Sequence, residues 1–175
     1  MNKSFATAVF FALSAAACAT SPNLDKSLSD IGADAALKGV LFADRSHDYG
    51  DVDITIYEGR LLLTGTMKSE EGHRKLIENA WKADGVEQVI DEVIISDGTS
   101  LGEGFEDSRI DATLRARLIG DSDVKAGQFK AAVSKGVVYL LGVTHSDADL
   151  NAAHDIARSI SGVEKVVSHV LVKPL

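Results

Sequence analysis

Apolar and polar positions alternate along residues 51–56, where Val52, Ile54 and Ile56 interleave with Asp51, Asp53 and Thr55. A period of two marks a strand with one wet face. Upstream, residues 31–44 carry Ala35, Leu37, Val40, Leu41 and Phe42 at helical spacing, with Asp30 placed to cap the start. Glu58-Gly59 reads as a tight turn, and residues 60–66 return as a Leu-rich strand that should be the more buried of the two. Ser69 is set to cap a helix over 70–84, with acids in its first turn and Gly85 just past its end. Val86, Val89, Val93 and Ile95 then supply a third strand. The predicted unit is α-β-β-α-β.

The same pattern returns 77 residues later without a gap. Asp34, Leu37, Leu41, Leu63 and Val93 meet identical residues at Asp111, Leu114, Leu118, Leu140 and Val170, and Gly59, Gly65 and Gly85 meet Gly136, Gly142 and Gly162. Matched glycines carry weight because glycine serves backbone conformations that other residues avoid. The second copy reads as a helix over 108–120, a strand holding Phe129, Ala131 and Val133, a Lys135-Gly136 turn and a return strand over 137–143. A helix capped by Ser146 and ended by Gly162 follows, then a last strand over 163–172. A right-handed crossover would lay the third strand parallel to the second. The expected fold class is therefore α+β: two tandem domains, 31–96 and 107–173, each a mixed three-stranded sheet with two helices on one face. A Gly-, Ser- and acid-rich linker, 97–106, joins them. Gly65 and Gly142 are predicted equivalents at positions where a Cβ would clash or force an unfavourable backbone angle.

Composition changes the picture at the N-terminus. Lys3, an apolar run through Ala17 and small residues up to Cys18 have the layout of a signal peptide over 1–17, too short to span a bilayer. Cys18 is the only cysteine, so it cannot form an internal disulfide. The segment resembles a bacterial lipoprotein signal, in which that cysteine becomes the lipidated first residue. Residues 18–30 are then a lipidated N-terminus and tether, with each buried acyl methylene contributing about 0.8 kcal/mol to anchoring. Cleavage by ordinary signal peptidase after Ala17 or Ala19 is the alternative, giving a soluble periplasmic protein. The formal charge is −8 and becomes more negative once Lys3 is removed. Such a balance argues against nucleic acid as a partner. Attraction to anionic lipid would have to come from a local patch.

The search for chemistry finds little. His47, His73, His145, His154 and His169 show no metal-ligand spacing, and His47-Asp48 reads as a solvated loop rather than a base with its orienter. Gly102-Glu103-Gly104 lacks the rest of a phosphate loop. Trp81 is expected to pack at the core or its edge. The copies share glycines, valines and caps, and no catalytic set. No enzyme activity, cofactor or metal is expected. The helix over 108–120 is more informative. Ile110, Leu114 and Leu118 form a core stripe, while Ala112, Ala116 and Ile119 gather opposite it, flanked by Arg109 and Arg115. Weakly apolar residues with basic edges suit shallow contact with anionic phospholipid headgroups. An ordinary solvent face, or a contact between the domains, would read the same way.

The turn glycine, a second glycine six residues later and a closing Gly-Val, Val, Val stretch occur as Gly59, Gly65, Gly85-Val86, Val89 and Val93, and again as Gly136, Gly142, Gly162-Val163, Val166 and Val170. Together they resemble the BON domain. The resemblance covers residues 31–96 and 107–173. It implies a non-enzymatic protein of the bacterial envelope that associates with phospholipid and supports outer-membrane integrity or a stress response. It implies lipid contact through the first helix of the second domain, without fixing any individual arginine. The competing expectation is a periplasmic interaction module that docks its sheets onto an envelope complex or onto its own partner domain.

Overall fold

The computed structural model describes residues 22–96, 101–122 and 124–174. The signal segment, Cys18 and residues 97–100 lie outside them. The elements run α1 (Pro22–Ala43), β1 (Val52–Tyr57), β2 (Arg60–Met67), α2 (Glu70–Lys82), β3 (Gln88–Ile95), α3 (Leu101–Gly120), β4 (Phe129–Ser134), β5 (Val137–Thr144), α4 (Asp147–Arg158) and β6 (Lys165–Val172). A 3-10 turn, Ala126–Gln128, precedes β4. In each sheet the middle strand pairs antiparallel with its hairpin partner and parallel with the strand after the crossover helix, in the orders β1-β2-β3 and β4-β5-β6. This is the predicted α+β pair of mixed sheets. Ser69 and Ser146 cap α2 and α4, accepting from Gly72 N at 3.2 Å and Asp149 N at 3.1 Å.

Alternation along the middle strands builds two cores. Leu61 and Leu63 of β2 face the helices and pack with Leu37, Leu41, Leu76 and Ala80. Val138 and Leu140 of β5 do the same with Ile110, Leu114, Leu118, Ala153 and Ala157. Each fully buried Leu or Ile contributes roughly 1.5–3 kcal/mol relative to exposure. The intervening residues point the other way, and there the two sheets meet. Leu62 and Ile90 pack on Ala132, Tyr139 and Leu141 in a third buried cluster. Polar contacts cross the same interface: Lys130 Nζ donates to Ile56 O at 2.6 Å, Arg60 Nη1 to Gly142 O at 3.2 Å, and His169 Nε2 lies 2.9 Å from Glu92 Oε1. The molecule is thus layered helices, sheet, sheet, helices. The sheet faces proposed for an envelope complex are spent on each other.

Both hairpins turn through left-handed pairs, Glu58 (φ 48) and Gly59 (φ 75), and Lys135 (φ 51) and Gly136 (φ 71). A single carboxylate holds each turn. Asp30 accepts from Glu58 N at 2.7 Å and Gly59 N at 2.8 Å, and Asp107 accepts from Lys135 N at 2.7 Å and Gly136 N at 2.8 Å. Asp30 is therefore not the cap of α1. It lies inside a helix that begins at Pro22, so the stretch read as tether supplies the first turns. Likewise α3 begins at Leu101, within the stretch read as linker.

A Cβ on Gly65 would overlap the carbonyl oxygen of Asp51, and one on Gly142 the carbonyl oxygen of Gln128. These carbonyls immediately precede β1 and β4, so the middle strand passes against its neighbour's entry with no room for a side chain. Gly65 also has φ +106, which Gly142 does not share. Trp81 departs from expectation: it is 54% exposed on the outside of α2.

Candidate membrane-facing helix

The early start of α3 brings Phe105 into the helix. At about 100° per residue, Phe105 lies on the same line as Ala112, Ala116 and Ile119, opposite the buried Ile110, Leu114 and Leu118. Phe105 and Ile119 are each 74% exposed, and both alanines are open. The exposed stripe is thus longer and more apolar than the residues over 108–120 alone indicate. Phe105 was missed because Gly102, Gly104 and the acids around it read as linker; its spacing of seven from Ala112 was the available signal.

The two predicted rim arginines are both tied down. Arg109 donates to Glu106 Oε2 at 2.9 Å and to the Ser161 carbonyl at 2.7 Å, pinning α3 to the end of α4. Arg115 donates through Nε to both oxygens of Asp111, at 3.0 and 2.8 Å. That hydrogen bond to Asp111, opposed by partial burial, holds the Arg115 guanidinium above its ordinary pKa. A third cation, Arg117, donates to Ser159 Oγ at 2.7 Å. The three arginines are set against four acids along α3, Glu103, Glu106, Asp107 and Asp111, of which Asp107 is engaged by the hairpin turn, accepting from Lys135 N and Gly136 N. Each arginine is oriented by a partner yet keeps donors directed to solvent, because a guanidinium offers five N–H groups.

The matching helix of the first domain exposes apolar residues too, spread around it rather than in one stripe. Leu28 is 59% exposed, Ile31 67% and Val40 48%. Ile31 and Val40 stand where α3 has Ser108 and Arg117, and Lys38, the counterpart of Arg115, pairs with Asp34 at 2.9 Å. Each first helix carries one more acid than base, so the two differ in which side chains stand at matching places rather than in net charge.

Elsewhere the titratable groups serve structure. His73 Nε2 lies 2.9 Å from Asp91 and His145 Nδ1 2.8 Å from Lys173 O. Among the described residues no cluster of three His, Cys, Asp or Glu could hold a metal ion. No helix among them is long and apolar enough to cross a membrane.

Comparison with known proteins adds lineage to this geometry. The sequence profile of the BON domain matches residues 29–97 and 106–174. Over 119 residues the chain is 36% identical to the outer membrane lipoprotein DolP of Haemophilus influenzae, covering 67% of this chain and 61% of DolP. Over another 119-residue match it is 32% identical to a 21 kDa hemolysin of Actinobacillus pleuropneumoniae, covering 66% of this chain and 59% of the hemolysin. The osmotically inducible protein Y of Escherichia coli is 24% identical over 148 residues, covering 83% of this chain and 74% of that protein. The matched region thus spans only about three fifths of DolP and of the hemolysin.

Proposed function

The chain belongs to the BON domain family, and we propose that it is a non-enzymatic envelope protein, anchored by lipid on Cys18 at the periplasmic face of the outer membrane. Its second domain rests on phospholipid through α3 and thereby supports membrane integrity under envelope stress. The observation that carries this reading is the exposed line Phe105, Ala112, Ala116 and Ile119 edged by Arg109 and Arg115. Large apolar groups would sit at the headgroup boundary while the arginines meet phosphates, with anionic lipid preferred. Similarity to an outer membrane lipoprotein and to an osmotically inducible protein supports an envelope setting with a stress-related role.

Sedimentation of the 19–175 fragment with vesicles tests the reading. Binding should require anionic lipid and weaken with salt, since exposed charges are screened beyond about 10 Å at 0.1 M. Each basic residue near such a surface contributes about 1 kcal/mol, so Arg109→Glu with Arg115→Glu should reduce binding more than tenfold. Arg115→Glu with Ile119→Ser is the cleaner pair, because Arg109 also anchors α4. Lys38→Glu on α1 should do much less. In cells, Cys18→Ser should move the protein to the soluble periplasmic fraction and remove the acyl mass. Equal loss from both helices, or no vesicle binding, would favour a periplasmic interaction module that meets its partner through a surface other than the paired sheets. A wild-type protein already soluble and unmodified would remove the anchor.

A further inference from the structure

The two domains fill the space beneath their first helices differently. In domain 2 the end of α3 closes over Val124 and Phe129, which are 5% and 7% exposed and belong to the core with Leu118. Their equivalents 77 residues earlier are His47 and Val52. Neither fills the place: both are only half-buried, and an open hollow of about 420 Å3 lies there instead. Leu41, Val52, Ile54 and Tyr49 form its apolar surface, with Lys38 and Arg45 on its margin. Ile54 is larger than its counterpart Ala131, but it lines the hollow without closing it.

Charge gives the hollow a direction. Asp44, the one acid lining it, is engaged by Ser46 N and Oγ and by the Tyr49 hydroxyl at 2.9 Å. Lys38 pairs with Asp34. Arg45 makes no hydrogen bond or ion pair among the described residues. Its place in domain 2 is taken by Ser122, so the cation and the hollow occur in the same copy. An apolar cavity within the roughly 300–1,000 Å3 of small-molecule sites, with an uncommitted guanidinium at its mouth, fits a tail with an anionic head.

We propose that this hollow binds one amphipathic anion of the long-chain carboxylate class, its alkyl chain against Leu41, Val52 and Ile54 and its carboxylate at Arg45. The site is a pocket for a single monomeric lipid in domain 1, separate from the proposed bilayer contact of α3.

Dodecanoate, titrated below its micellar concentration into the full chain carrying Cys18→Ser, provides the probe. Heteronuclear NMR should show saturable one-to-one binding with shifts centred on Leu41, Val52 and Ile54 and none on α3. Val52→Phe installs the residue domain 2 uses at this place. It should weaken binding by about tenfold or more, because the tail loses its apolar surface. Arg45→Glu, on the exposed margin, should weaken dodecanoate severalfold while leaving dodecanol unchanged. Shifts confined to α3, or affinity unaltered by both variants, would overturn the pocket. Equal affinity for dodecanol and dodecanoate in the unmodified protein would overturn the role of Arg45. Loss of vesicle sedimentation with dodecanoate binding intact would strike the α3 reading alone.

Discussion

Domain 1 and domain 2 share a fold to the level of single hydrogen bonds, yet differ at the outer surface of their first helices and in the space beneath them. Asp30 and Asp107 grip the same two turn amides at distances that agree to 0.1 Å or better. Gly65 and Gly142 leave room for the same neighbouring carbonyls. By contrast, Val52 and His47 in one copy are Phe129 and Val124 in the other, and Ile31 and Val40 become Ser108 and Arg117. The turn carboxylates, the close-approach glycines and the central leucines repeat, Leu37, Leu41 and Leu63 as Leu114, Leu118 and Leu140, while the entry to the first strand and the outside of the first helix have diverged. Divergence of that kind is what lets two copies of one unit present different surfaces.

The largest expected effect tests the shared geometry. Gly65→Val and Gly142→Val each force a side chain into a backbone carbonyl and should cost about 3 kcal/mol or more in urea melts. Gly65→Val should be the worse, because it adds a left-handed φ that a β-branched residue resists. Equal losses would mean that φ is irrelevant here, and unmoved melts would break the equivalence of the two copies.

Next come the turn carboxylates. Asp30→Ala and Asp107→Ala each strand two amide donors of a tight turn and remove charge-assisted bonds, at about 2 kcal/mol. Asp30 is the more buried, 6% exposed, so its loss should be the greater. Denaturation of the two variants side by side measures this. A neutral result at either site would leave its turn held by the left-handed pair alone.

The smallest effect sharpens a local difference. Asp44 is held at a pKa of about 2 by hydrogen bonds from the Ser46 side chain and backbone and from Tyr49. Burial, followed by the bond to Asp44, pushes the Tyr49 phenol up to about 12. A carboxylate with a depressed folded pKa stabilises above its unfolded value near 3.8, and that contribution fades as pH falls through about 2. The wild type should therefore lead Asp44→Asn in melting temperature at pH 5 and lose the lead between pH 4 and 2. A gap independent of pH would assign the effect to packing around Tyr49.

Element order, the serine caps and the buried stripe of α3 were legible in the chain because each depends on neighbours within a few residues. The copy-to-copy match extended this by showing which glycines serve the backbone. Local reasoning failed at Asp30. Its position before an apolar period looked like a cap, but the helix continues through it to Pro22 and its carboxylate serves a turn 28 residues away. The match of Asp30 with Asp107 at the same offset was the unused signal. Arg109 and Arg115 lie on the flanks of α3, but their partners Ser161 and Asp111 depend on which helix lies alongside and which rotamer is taken.

Sequence by itself determined two α-β-β-α-β units, their parallel and antiparallel pairing and the face of each helix that turns inward, because periodicity and backbone constraint are local properties. Tertiary structure decided that the sheets dock. The Leu-rich character of β2 signalled deep burial, but only the folded chain shows Leu62 meeting Tyr139 and Leu141. It also decided that domain 1 keeps a hollow where domain 2 has core. Docking and cavities arise from the fit of surfaces distant in the chain, and a difference of one side-chain volume, valine against phenylalanine, changes that fit while leaving every local pattern intact.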